Sequence, residues 1–100
     1  MIDFSRIEGF DWDDGNLRKS IEKHAVSLRE AEQVFLDTQL LILADEKHGT
    51  EEERFQAYGE TAAGRRLHVS FTLRRNATLI RVISARDMSR KERNRYEEEI

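Results

Sequence analysis

The sequence predicts an α+β fold, with two amino-terminal helices, a four-stranded antiparallel meander and a closing helix in the order β-α-α-β-β-β-β-α. Three observations carry that prediction. Two S-x-x-E capping boxes, Ser27 with Glu30 and Ser89 with Glu92, mark helix starts. After Asp37 the apolar period drops from about 3.6 residues to about 2. Four apolar or alternating runs then follow one another with short connections, as in a chain of hairpins. A length of 100 residues fits a single domain, 1–100, with one modest core and its helices laid over one sheet face.

Taken in order, "IEGFDW" is a short apolar-rich entry strand. "WDDGNLRKSIEKH" follows as a helix with Asp13 or Asp14 as its N-cap and Leu17, Ile21 and His24 on one stripe. It ends on Lys23 and His24, where the helix dipole favours cations. "SLRE" opens a second helix at Ser27, with Leu28, Ala31, Val34 and Phe35 as its apolar face. The stretch "SIEKHAVSLREAEQVF" is therefore a tight helix-to-helix corner. The strands are "QLLILADE", "ERFQAYGE", "RLHVSFTL" and "TLIRVISAR", joined by "KHGTE", "TAAGR" and "RRNA". The third is the cleanest, with Leu67, Val69, Phe71 and Leu73 alternating against Arg66, His68, Ser70 and Thr72. "MSRKERNRYEEEI" closes the chain as a helix.

Charged residues make up 37% of the chain and hydrophobic ones 38%, but the apolar residues recur periodically, which excludes a disordered chain. No apolar run approaches the roughly 18 residues of a membrane span, and "MIDFSRIEGFDW" lacks a basic head followed by a hydrophobic core, so no membrane association and a cytoplasmic location are expected. The absence of cysteine removes disulfides, thiolate metal sites and thiol nucleophiles. The net charge of −3 hides a division. Residues 1–64 carry seven Lys/Arg against fifteen Asp/Glu, whereas residues 65–95 carry ten against two. A basic block rich in Arg suits a polyanion, because the guanidinium binds phosphate bidentately, although a solvated face paired with acidic neighbours gives the same pattern.

Several pieces in sequence order, "FDWD", "EKHAVSLREAEQVF", "ERFQAYG", a G-x-L-x-V-x-F-T strand and "IRVISARDMSRKERNRYEE", make the chain similar to the BrnT family of small bacterial toxins. The family's corner motif N-x-x-K-H-G-[VI]-x-F-x-E-A is matched by Lys23, His24, Glu30 and Ala31, with Ser20, Ala25 and Leu28 as departures. Its R-x-I-S-A-R strand is matched by Arg81, Ile83, Ser84, Ala85 and Arg86, and its E-R-x-x-Y by Glu92, Arg93 and Tyr96. The resemblance implies a RelE-like fold and a ribonuclease activity that inhibits translation. It also implies a BrnA antitoxin with a DNA-binding domain, which neutralises the toxin and helps repress their shared operon.

Metal-independent RNA cleavage needs a base for the 2′-hydroxyl, positive charge for the phosphorane-like transition state and an acid for the departing 5′-oxygen. Lys23, His24, Arg54, Arg81 and Arg86 are the catalytic candidates, and Arg90, Arg93 and Tyr96 the RNA-binding ones. His24 titrates in the useful range, yet on a helix stripe it equally fits a packed structural residue. Arg81 and Arg86 differ in parity, so both reach one sheet face only if the strand bends, bulges or ends between them. Glu92 fits a capping role better than a general base, and Arg93 with Tyr96 also fits a pin between the last helix and the sheet. His24, His48 and His68 are too scattered for a metal site, and no cofactor is indicated. Two alternatives stand beside catalysis: a nucleic-acid-binding module, and a degenerate toxin kept for protein interaction. Ala25 bears on the second, because glycine there would suit a left-handed helix cap that alanine resists.

Overall fold

The computed structural model describes residues 2–45 and 53–99. Among them a 3-10 turn, Phe4–Arg6, precedes β1 (Gly9–Phe10), α1 (Asp14–His24), α2 (Leu28–Val34), β2 (Leu41–Asp45), β3 (Arg54–Glu60), β4 (Arg66–Arg74), β5 (Leu79–Asp87) and α3 (Arg90–Glu99). The element order is the predicted one, but the sheet is not a four-stranded antiparallel meander. It has five strands in the order β1-β5-β4-β3-β2, and β1 runs parallel to β5 through Gly9↔Leu79 and Phe10↔Ile80. The sheet is therefore mixed and differs in detail from the RelE-like order expected. The reason is local: a two-residue strand carries no alternation that could announce its pairing. The expected connection "KHGTE" lies outside the described residues.

One sheet face makes the core. Phe55, Ala57, Leu67, Val69, Phe71, Ile80, Val82 and Ala85 are buried there with Val26, Ala31 and Val34 from the helical layer. A run of ring contacts crosses it. Phe10 meets Phe35 edge-on at 5.6 Å, Phe35 meets Phe71 edge-on at 5.0 Å, and Phe71 stacks on Phe55 at 5.4 Å. Each such pair adds about 0.5–1.5 kcal/mol to the burial of its area. Gly59 of β3 lets α2 come close, since a Cβ there would stand 2.9 Å from Val34 Cγ1 and 3.0 Å from the Val34 carbonyl oxygen.

The helix-to-helix corner is held by a residue forty positions further on. Ala25 takes φ 52°, the left-handed conformation that ends a helix, and its N–H donates to the Ile21 carbonyl at 3.1 Å. Arg65, in the β3–β4 turn, donates through Nη2 to the His24 carbonyl at 3.0 Å and through Nη1 to that of Ala25 at 2.8 Å. The same guanidinium donates to both oxygens of Asp87, at 2.7 and 3.0 Å, and to Glu30 at 3.1 Å. Ser27 and Glu30 form the predicted capping box of α2, each bond at 3.1 Å.

The stripe predicted for α1 is corrected. Ile21 is half exposed and His24 is exposed, whereas Ser20 is buried and its Oγ accepts the Ala85 N–H at 3.2 Å. Beyond β1 the edge of β5 offers backbone donors, so a hydroxyl facing it is worth more than a methylene. Among the described residues no helix is long and apolar enough to cross a membrane.

Candidate active site

The parity conflict between Arg81 and Arg86 is resolved by a bulge. Ser70 pairs with Ser84 and Phe71 with Val82, which leaves Ile83 without an opposite number. Arg81, paired with Thr72, and Arg86, paired with His68, therefore lie on the same face, opposite the core. That face reads as a grid. Asp45, Arg54, Thr72 and Arg81 form one cross-strand row; Leu43, Gln56, Ser70 and Ser84 form the next; Leu41, Tyr58, His68 and Arg86 form the third. Two strand spacings, about 10 Å, separate Arg54 from Arg81.

A hollow of about 260 Å³ opens on this grid, lined by Asp45, Arg54, Gln56, His68, Ser70, Ile83 and Ser84. The bulged Ile83 forms part of its wall. Gln56 is fixed from both sides, its Nε2 donating to Asp45 at 2.6 Å and its Oε1 accepting from Ser70 Oγ at 2.6 Å. That same Oε1 meets His68 Nε2. The other ring nitrogen, Nδ1, lies 3.4 Å from Glu92 Oε2, and the ring stacks on Tyr58 with centroids 4.7 Å apart. Burial and the Arg86 charge push the His68 pKa down, against the pull of Glu92 and Asp45.

Glu92 brings α3 onto this face. With Ser89 it forms the predicted capping box, at 2.8 and 3.2 Å. Its two oxygens also take both Nη groups of Arg86, at 2.8 and 2.9 Å. Burial opposes the Glu92 carboxylate, but the Arg86 fork and the Ser89 N–H outweigh it and push its pKa down to about 2. Further along α3, buried Tyr96 donates its hydroxyl to Asp37 Oδ2, which also accepts the Glu60 N–H at 2.8 Å. Burial and Asp37 push the Tyr96 pKa up. In this arrangement Tyr96 fastens the helix to the α2–β2 corner and to β3.

The remaining candidates do not line the hollow. Arg81 donates to Asp11 at 2.7 Å, an acid delivered by the residue that follows β1. Arg90 and Arg93 are exposed and line a wider polar cleft of about 650 Å³ between the β3–β4 turn and α3, with Arg66, Asp87 and Glu97. Lys23 and His24 are exposed at the end of α1, beside Arg65 and Asp87. Successive strand residues point to opposite faces, so Asp87 and the corner stand across the sheet from Arg86. The structure thus gathers Arg54, Arg81 and Arg86 on one face and leaves Lys23 and His24 apart from them. It adds His68, Gln56, Asp45 and Ser84, which the sequence reading did not place in the site. The one advance signal was polar: His68 and Ser70 share the polar phase of β4 with Arg66.

These features define a class of small α+β domains in which the first two helices cover one sheet face and arginines occupy the other, with the last helix over one end of that second face rather than in the helical layer expected. The family profile described as "Ribonuclease toxin, BrnT, of type II toxin-antitoxin system" matches residues 12–92, and the chain belongs to that family. A ribonuclease toxin of a type II system has an antitoxin partner. Among solved structures the chain is similar to the Brucella abortus ribonuclease toxin BrnT, determined at 1.1 Å. The identity is 21%, over 82% of this chain and 97% of that one, with a TM-score of 0.62, a likeness of fold. No curated protein matches the chain.

Proposed function

We propose that this protein cleaves RNA without a metal ion, inhibits translation and is neutralised by a BrnA-type antitoxin. The supporting observation is the placement of Arg54, Arg81 and Arg86 on the sheet face opposite the core, two of them flanking Thr72 in a single row. Guanidiniums at that spacing bracket a phosphodiester and stabilise the charge that builds on its oxygens as the 2′-oxygen attacks. Arg81 and Arg86 are oriented for this by Asp11 and Glu92. Arg90 and Arg93 extend the basic surface for the flanking RNA. In this reading Lys23 and His24 serve the corner, where the lysine charge complements the helix dipole. The cell that makes such a face in its cytoplasm needs it masked, and the antitoxin that masks it carries the pair to operator DNA.

The direct test is purified, folded protein incubated with RNA in EDTA, with and without ribosomes. Cleavage in EDTA is the expected result. RNA left intact in every arm overturns the catalytic reading and favours an interaction protein.

A further inference from the structure

We propose that His68 is the general acid of the RNA cleavage, donating its Nε2 proton to the departing 5′-oxygen while Glu92 orients the ring through Nδ1. The inference rests on the ribonuclease reading above and deepens it with a residue that the sequence motifs did not single out. Its basis is geometric. His68 and Arg54 both line the hollow, so an RNA phosphodiester seated in it is bordered by the ring at one end and by that guanidinium at the other. Its two nitrogens face two acceptors, Gln56 Oε1 at Nε2 and Glu92 Oε2 at Nδ1. A carboxylate on one nitrogen and a proton for transfer on the other is the arrangement by which an imidazole is held in one orientation for acid–base work.

The ring cannot swing away. Tyr58 stacks on it with an interplanar angle of 9°, and the His68 side chain keeps only 13% of its surface exposed. Gln56 cannot offer its amide nitrogen instead, because Asp45 and Ser70 fix both of its ends. Each group packed round the ring is therefore accounted for: Glu92 from α3, Gln56 and Tyr58 from β3, Arg86 from β5, Asp45 from β2. Burial and Arg86 make the protonated ring a stronger acid than free imidazolium, and Glu92 and Asp45 keep that form accessible. A bound phosphodiester adds negative charge in the same sense as Glu92.

In the step, the 2′-oxygen bonds to phosphorus and releases its proton to water. The bond from phosphorus to the 5′-oxygen breaks with its electron pair on that oxygen, which takes the Nε2 proton in place of Gln56. The products are a 2′,3′-cyclic phosphate and a free 5′-hydroxyl, and the neutral ring recovers its proton from solvent.

A sulfur leaving group needs no proton, which gives the test. An RNA oligonucleotide is cleaved in EDTA alongside the same oligonucleotide carrying a bridging 5′-phosphorothiolate at the scissile position. The His68→Gln and His68→Asn proteins are expected to lose about a hundredfold or more on the ordinary substrate and to approach the unaltered protein on the sulfur one. With the unaltered protein, the ratio of oxygen to sulfur rates is expected to fall as pH rises through the titration of His68, a readout that holds even if the variants do not fold. Equal losses on both substrates, full activity of the variants on the ordinary substrate, or a pH-independent ratio each overturn the proposal while leaving the ribonuclease reading intact. Failure of the unaltered protein to cleave either substrate overturns both.

Discussion

Replacing Ala25 by glycine should raise stability, although it removes an atom and adds no contact. Ala25 sits at φ 52°, where an L-residue pays about 1–2 kcal/mol against the right-handed region and glycine does not. Glycine also gives the unfolded chain more freedom, which takes back about 0.4–1 kcal/mol. Ala25 is exposed, so no packing is lost with its methyl group. The Ala25 N–H bond to Ile21 and the carbonyl bond from Arg65 do not depend on the side chain. The net gain is about 0.5–1 kcal/mol, or a melting point higher by about 3–6 °C in a domain of this size. Thermal melts and urea titrations of the Ala25→Gly and Ala25→Val proteins measure it, with the valine protein expected to fall below the unaltered one. An unchanged or lower melting point for the glycine protein, at unchanged urea m-value, refutes the claim that the corner carries backbone strain.

Removing Arg65 tests the other half of that corner: Arg65→Met should cost about 2 kcal/mol, since two helix-end carbonyls lose a charged donor while the exposed Asp87 arm is worth little. Chemical denaturation reads this directly, and a loss below a few tenths of a kcal/mol would show that water replaces the fork. Arg54→Ala and Arg81→Ala should each lower RNA cleavage on the order of a hundredfold and relieve growth arrest without unfolding the chain, as checked by circular dichroism. Toxicity unchanged in both would take the first row of the grid out of the site. Acid should destabilise the protein through Glu92: its carboxyl titrates near 2 when folded and near 4.5 when unfolded, so its contribution is present above pH 4.5 and is lost as pH falls toward 2. In Glu92→Gln that part of the acid slope in the urea midpoint should flatten. Finally, the toxin–antitoxin complex should bind operator DNA far more tightly than the toxin alone in a salt-controlled titration, because residues 1–64 are strongly acidic. Equal, equally specific binding by the toxin alone contradicts that division of labour.

Most of the architecture was legible because its signals are local. Ser27 with Glu30 and Ser89 with Glu92 write two helix starts into four residues each, and the alternation of β4 fixes both its length and its buried phase. The arginine parity was informative in a less direct way, since an odd spacing between Arg81 and Arg86 demanded an irregularity that the strand does contain. What stayed hidden depends on pairing between distant segments. The parallel contact of β1 with β5 decides that Asp11 reaches Arg81, and nothing in two residues encodes it. His68 acquires its neighbours from four other elements, so its own strand could not reveal them. The burial of Ser20 in preference to Ile21 likewise follows from what lies opposite α1, an unpaired strand edge, rather than from hydrophobicity along the helix.

Because Ile83 has no opposite number, β5 carries one residue more than its ladder requires. Deleting it would leave Arg81 outward, Val82 inward, Ser84 outward, Ala85 inward and Arg86 outward, a regular alternation with both guanidiniums still on the same side. A second added residue has no such outlet, since the strand must then either widen its bulge or turn Arg86 into the core. Length variation between the two arginines is thus one-sided: the segment tolerates shortening by one residue and resists lengthening, and the wall that Ile83 contributes to the hollow is the part of the face free to change size without moving a charge.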